Sequence, residues 1–196
     1  MSAEDYIIGV DEAGRGAWAG DLVVCAVAVP VSWTSVFAKD SKKLPEKVLE
    51  EAHDALVRDE RIHRSIEICD LHDIDLYGIQ NAHIRAMRRA IGLIISNMAG
   101  WPDKISRICV DGLWPSFLPG VECIPQADES IPAVSAASIL AKHNQSALMR
   151  VAHKQYCGYG FDKHKGYGTA EHRRTLHKHG LCPLHRVSFK PMCNML

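Results

Sequence analysis

The sequence predicts an α/β fold: a mixed sheet opened by an antiparallel hairpin, flanked by helices, with a small helical appendage at its C-terminal end. Three observations carry this. Two apolar runs, residues 6–10 and 21–29, are too close in sequence for a helical crossover, so they pair as a hairpin. Further short apolar runs follow, each bounded by turn residues. Between them lie segments whose apolar residues recur with the 3.6-residue period of a helix.

Taken in order, the first run enters Asp11-Glu12 and the second is ended by Pro30. Residues 45–58 read as a helix with proline in its first turn. Residues 62–69 alternate as a third strand. Residues 79–98 form the clearest helix: Ile84, Met87, Ala90, Ile91, Ile94, Ile95 and Met98 share one stripe, and Gly100 is a stop signal. A fourth strand, 107–110, enters Asp111-Gly112, and 121–124 is a fifth. Residues 131–154 read as a second long helix. Residues 169–179 make a short one, with Thr169 as N-cap and Gly180 after its end. There is no internal repeat and no low-complexity segment.

Composition bounds the function. The chain has 196 residues, 47% of them hydrophobic, and no apolar run near the roughly 18 residues that span a membrane. One soluble domain with an appendage is expected. Residues 1–6 hold two acids and no basic group, so no secretory leader is expected. The seven cysteines are scattered, odd in number and without a C-x-x-C pair, which argues against a disulfide framework or a zinc ribbon. A reducing, cytoplasmic setting follows.

The net charge of zero conceals an asymmetry. Residues 1–141 hold 13 basic and 21 acidic side chains, whereas residues 142–196 hold 10 and 2. Seven of the eleven histidines also lie in the second part. A basic segment points to a polyanion, and clustered acids point to metal.

The sharpest motif is Asp11-Glu12-Ala13-Gly14-Arg15-Gly16. Two acids end an apolar strand, at the edge where open α/β sheets gather chemistry. The glycines allow close backbone approach, and Arg15 offers a fork of donors to phosphate. A polar hairpin turn is the plain alternative. Asp111 ends another apolar strand, and parallel pairing with the first would set it beside Asp11. Asp128 precedes the second long helix, where an acid also favours the macrodipole. Hard carboxylate oxygens brought together suit Mg²⁺ or Mn²⁺. Asp70, Asp73 and Asp75 read as loop and capping acids. His172, His177 and His179 read as part of a solvated basic face, and His83 as a surface residue of its helix. Residues 158–169 interleave basic groups with aromatics and glycines, a composition that suits nucleic acid and equally a surface loop.

These residues together resemble bacterial ribonuclease HII, the type 2 ribonuclease H. The matching segments are VDEAGRG (10–16), DSKKL (40–44), ID with AMRRAI (74–91), VDG (110–112), SAASILAK (135–142), KHKGYGTAEH (163–172) and HRVSF (185–189). The resemblance implies an RNase H-like fold and an endonuclease, hydrolysing RNA paired with DNA and nicking duplex DNA 5′ of an embedded ribonucleotide. It implies two Mg²⁺ or Mn²⁺ ions held by Asp11, Glu12, Asp111 and Asp128, and products with a 3′-OH and a 5′-phosphate. Gly14, Arg15 and Gly16 would read the ribose 2′-OH, and Tyr167 would pack on the deoxyribose that follows. Lys42, Lys43, Ser138 and Lys142 are further expected substrate contacts. Residues 1–154 would form the catalytic body and 155–196 a basic, substrate-binding segment packed on it. The implied partner is nucleic acid, with no membrane, and the protein a monomer.

Some positions depart from the family pattern. Ala17, Trp18 and Asp21 replace proline, a small aliphatic residue and proline, and His143-Asn144-Gln145 replace an aliphatic residue followed by Arg-Asp. Two other readings remain open here: a different metal-dependent nuclease of the same fold, and a non-catalytic nucleic-acid-binding module.

Overall fold

A computed structural model describes residues 5–34, 44–98, 103–114 and 119–195. Five strands form one sheet in the order β3-β2-β1-β4-β5. The strands β1 (Tyr6–Ala13) and β2 (Leu22–Pro30) make the expected antiparallel hairpin, and β3 (His63–Cys69) continues it antiparallel to β2. The strands β4 (Ile105–Asp111) and β5 (Val121–Ile124) add in parallel on the other side of β1. The sheet is therefore antiparallel on one side of β1 and parallel on the other.

Alternation along β2 shows why its sequence is apolar throughout. Leu22, Val24, Ala26 and Ala28 belong to the core formed with α3 (Ile79–Asn97). Val23, Cys25, Val27 and Val29 belong to the core formed with α1 (Glu46–Arg58) and α4 (Pro132–Gln155). With helices on both faces, neither register of side chains meets water. Each valine buried this way contributes about 1.5–3 kcal/mol. The sequence-derived bounds of α1, α3, α4 and β5 agree with these to within one or two residues.

Helix α4 lies directly on β1 at Gly9. A β-carbon there would collide with the backbone of Ala133 and Val134, so only glycine permits this approach. Two stretches differ from expectation. The strand β1 runs on through Asp11 and Glu12, which pair with Cys25 and Val24, instead of stopping before them. The acids at 70–75 sit on an extra short helix, α2 (Leu71–Tyr77), whose N-cap Asp70 accepts from the Asp73 N–H. That helix is seven residues long, too short to show two turns of apolar period.

Beyond α4 the chain forms α5 (Phe161–His164) and α6 (Ala170–His179) and then returns along the β1–β2 loop. Thr169 caps α6 by accepting from the His172 N–H, and Gly180 ends it at φ +74°. The return is stitched by backbone: Arg186 N–H donates to Trp18 O, Gly20 N–H to Leu184 O, and Trp18 N–H to Gly166 O, each at 2.8 Å. Among the described residues no helix is long and apolar enough to cross a membrane.

Candidate active site

Parallel register sets the acids. Val10 pairs with Val110, so Asp11 and Asp111 follow one another's neighbours at the same edge of adjacent strands. Asp111 Oδ1 accepts the Ala127 N–H at 2.8 Å, which draws in the 3-10 turn Ala127–Glu129 and with it Asp128. Asp11 and Asp128 are 4% and 2% exposed, and for Asp11 desolvation is the largest influence on its ionisation.

Alternation sends the two adjacent acids opposite ways. Asp11 shares a face with Gly9 and receives the Ser138 hydroxyl from α4 and the Glu12 N–H. Glu12 points toward α3, where its Oε2 lies 3.5 Å from His83 Nε2. Burial raises the Asp11 carboxyl to about 6; its two donors oppose the rise, and repulsion from Asp111 and Asp128 adds to it. Burial raises Glu12 to about 8, repulsion from Asp11 adds, and Arg15 opposes. Carboxyl groups held from ionising by burial and by one another fit a hard divalent cation, whose charge offsets both effects. As they stand, no three His, Cys, Asp or Glu side chains among the described residues are arranged to enclose an ion.

A cleft of about 210 Å³ opens beside the acids. Its lining includes Glu12, Ser138, Lys142, Gln145, Lys165 and Tyr167. Ser138, Lys142 and Gln145 lie at positions i, i+4 and i+7 of α4, on one face of that helix. Tyr167, 42% exposed, lines the cleft, and its hydroxyl accepts the Gly14 N–H at 3.1 Å. Gly14 has φ +89°, a conformation that disfavours other residues. Around Gly16 a β-carbon would meet only the Tyr167 ring, at 4.0 Å, so the space above it is open. Arg15 lies over the Trp114 ring at 4.7 Å, while its carbonyl accepts from the buried Arg186 at 2.9 Å. The structure thus brings together Asp11, Glu12, Asp111, Asp128, Ser138, Lys142, Gly14, Arg15, Gly16 and Tyr167. Lys42 and Lys43 lie outside the described residues.

Two histidine readings are corrected. His83 is fully buried, not on the surface: it meets the Trp114 ring edge-on at 4.6 Å, and burial lowers it to about 3. His172 is fully buried, not on a solvated face, stacked on His164 and 3.2 Å from His185. Burial lowers His172 to about 4, keeping it neutral. Spacing offers a signal for both: His83 stands four and seven residues before Met87 and Ala90 of the apolar stripe, and His172 four before the buried Leu176, although only the fold shows what each meets. Asp75 is also more than a loop acid: it accepts from the N–H groups of Val187 and Ser188, tying the C-terminal segment to α2. The departures have local partners as well. Asp21 accepts the Leu71 N–H at 3.0 Å, and the Gln145 amide donates to Lys165 O at 2.9 Å.

This sheet, with acids converging from two parallel neighbours, is the architecture of RNase H-like hydrolases. It aligns with ribonuclease H2 from Pyrococcus horikoshii OT3 at a TM-score of 0.77 and 21% identity, covering 97% of this chain and 96% of that one. It aligns with Bst-RNase HIII in complex with Mn²⁺ at 0.69 and 17% identity, covering 90% and 70%. The ribonuclease HII family model matches residues 8–192, and the chain belongs to that family. Ribonuclease HII of Halorhodospira halophila is 42% identical over 194 residues, 97% of this chain and 94% of the relative. The protein is accordingly a ribonuclease H, an endonuclease of the hydrolase class.

Proposed function

We propose that this protein cuts the RNA strand of RNA–DNA hybrids and nicks duplex DNA on the 5′ side of an embedded ribonucleotide. It does so as a cytoplasmic monomer, leaving a 3′-OH and a 5′-phosphate. Asp11, Glu12, Asp111 and Asp128 are the residues that would hold two Mg²⁺ or Mn²⁺ ions; Mn²⁺ is the ion in the Bst-RNase HIII complex. Ions bound there supply a Lewis acid for the attacking water and the departing oxygen. Asp11 and Glu12, whose ionisation burial opposes, would give up protons as cations arrive.

The observation that carries the specificity is the placement of the exposed Tyr167 ring beside Gly14, whose N–H donates to the Tyr167 hydroxyl. It sets the glycine loop and an exposed aromatic ring on either side of one opening, next to the acids. Backbone groups of Gly14, Arg15 and Gly16 can reach a 2′-OH there, the group that marks RNA. The ring of Tyr167 packs on the next sugar, where an added hydroxyl would crowd it. Ser138, Lys142, Lys42 and Lys43 contact the strand around the scissile phosphate. Residues 155–196 act as a basic, substrate-binding segment on a catalytic body formed by 1–154, supported by the charge asymmetry.

The test is cleavage of a duplex with one ribonucleotide and of a long hybrid by Tyr167→Phe and Tyr167→Ala. Tyr167→Phe keeps the ring and removes only the hydrogen bond to Gly14, so it should retain the preference for the single ribonucleotide. Tyr167→Ala should lose it, by roughly ten-fold for about 1.4 kcal/mol of packing removed. Equal losses on both substrates with a lower Tm would make Tyr167 a mere anchor and refute the reading.

A further inference from the structure

Tyr167 is held from behind by histidines that the site itself does not use. Its N–H donates to His164 O at 2.9 Å. Its carbonyl faces His172 Nδ1 at 3.0 Å, and His172 Nε2 faces His185 Nε2 at 3.2 Å. The His185 ring in turn meets the Cys182 N–H, which donates to Nδ1 at 2.9 Å. His172 and His185 are 0% and 1% exposed, so no water can substitute for a missing partner.

We propose that His185 and His172 are positioning residues, a directed pair of neutral imidazoles that fixes the Tyr167 backbone and so the ring that selects the substrate. The inference rests on the reading of Tyr167 given above. Direction follows from what each partner can accept. A carbonyl only accepts, so His172 carries its hydrogen on Nδ1 and leaves Nε2 bare. One hydrogen must lie between the facing Nε2 atoms, so His185 supplies it. His185 Nδ1 is then bare and takes the Cys182 N–H, the contact observed. Turning His185 over would donate Nδ1–H to Cys182 O, 3.1 Å away, but would set two bare nitrogens face to face. Charging His172 would repair that fault only by burying a cation, and burial lowers both His172 and His185. His164 reinforces the pair. It stacks on His172 with ring centroids 4.3 Å apart, contacts Tyr159 O through Nε2 and accepts the Gly166 N–H on Nδ1. From one buried cluster, His172 thus holds the Tyr167–Gly168 peptide, His185 directs His172, and His164 holds the Lys165–Gly166 peptide.

Two measurements on the full chain test this. Long-range ¹H–¹⁵N correlation of histidine-labelled protein at neutral pH should show His172 protonated on Nδ1 and His185 on Nε2. The opposite tautomer of either, or a cationic His172, overturns the relay. In parallel, His185→Gln keeps a donor at the Nε2 position, whereas His185→Leu has none. His185→Leu should lower the preference for a single ribonucleotide over a long hybrid by roughly ten-fold, and His185→Gln should keep it within about three-fold. Tyr167→Ala is the control. Loss of preference in Tyr167→Ala but not in His185→Leu overturns the relay alone. Equal impairment by His185→Gln and His185→Leu does the same. Unchanged preference in Tyr167→Ala instead overturns the reading of Tyr167.

Discussion

At Asp111 one side chain does two things, and a single substitution separates them. Its Oδ1 accepts the Ala127 N–H, and its charge repels Asp11 and Glu12. Asp111→Asn keeps the acceptor and removes the charge. We expect cleavage to fall by more than about a hundred-fold, while Tm in chelator stays level or rises as repulsion is relieved. Mg²⁺ or Mn²⁺ should raise the Tm of the parent, because a ligand bound only by the folded state stabilises it. That rise should shrink in Asp111→Asn; an undiminished rise with near-parental turnover would remove Asp111 from the site. Gly16→Ala makes the complementary case. Its methyl has room in the free protein, so stability should hold within about 0.5 kcal/mol while activity drops on every substrate. A lowered Tm, read in the same melts, would show that Gly16 serves the fold instead.

Two elements position what those residues do. Helix α4 presents Ser138 and Lys142 to the cleft only because Gly9 lets it rest on β1. Gly9→Ala should cost about 1–3 kcal/mol or more, seen as a Tm fall of roughly 2–4 °C for each kcal/mol. A Tm equal to the parent's would mean that the helix can shift without penalty. The first turn of α6 carries His172, and pH reports on it. Its folded-state pKa, about 4, lies below the ordinary 6.5, so between these values the unfolded chain binds more protons. Stability contributed by His172 is therefore present above pH 6.5 and lost as pH falls toward 4. Asp11 and Glu12, raised by burial, act in the opposite sense, so a variant must isolate the histidine. The fall in Tm from about pH 7.5 to about pH 5 should be smaller in His172→Asn than in the parent. An equal fall in both would show that His172 does not titrate on unfolding.

Across the whole molecule, the C-terminal return brings the basic segment onto the glycine loop. Arg186 is fully buried, donates through Nε to Gly20 O at 2.9 Å, and also holds Arg15 O. A chain ending at Gln155 would lack these donors, so truncation tests folding as much as binding. Salt dependence of the intact protein is the cleaner probe. Affinity for hybrid should fall steeply and almost independently of sequence as salt is added. Replacing Arg173 and Arg174 by glutamine should flatten the log–log slope by up to about 0.9 for each phosphate no longer neutralised. An unchanged slope would place the phosphate-binding cations elsewhere on the surface.

The sequence alone determined the longer elements and singled out most of the acids that the fold brings together. Apolar runs and periods are local, so β1, β2, α3 and α4 are legible in it. Asp11 and Asp111 stand out because each follows such a run. The tertiary structure decided whatever depends on partners distant in sequence. Asp128 is an ordinary acid near a helix until the Ala127 N–H on Asp111 brings it to the site. His83 and His172 read as surface groups by residue type although their spacing puts them on buried helix faces, and their environment is set by Trp114 and by His185, residues 31 and 13 positions away. The physical reason is the range of the forces involved. Backbone propensity and apolar period act within one element, whereas desolvation and hydrogen-bond direction depend on what packing places opposite each side chain.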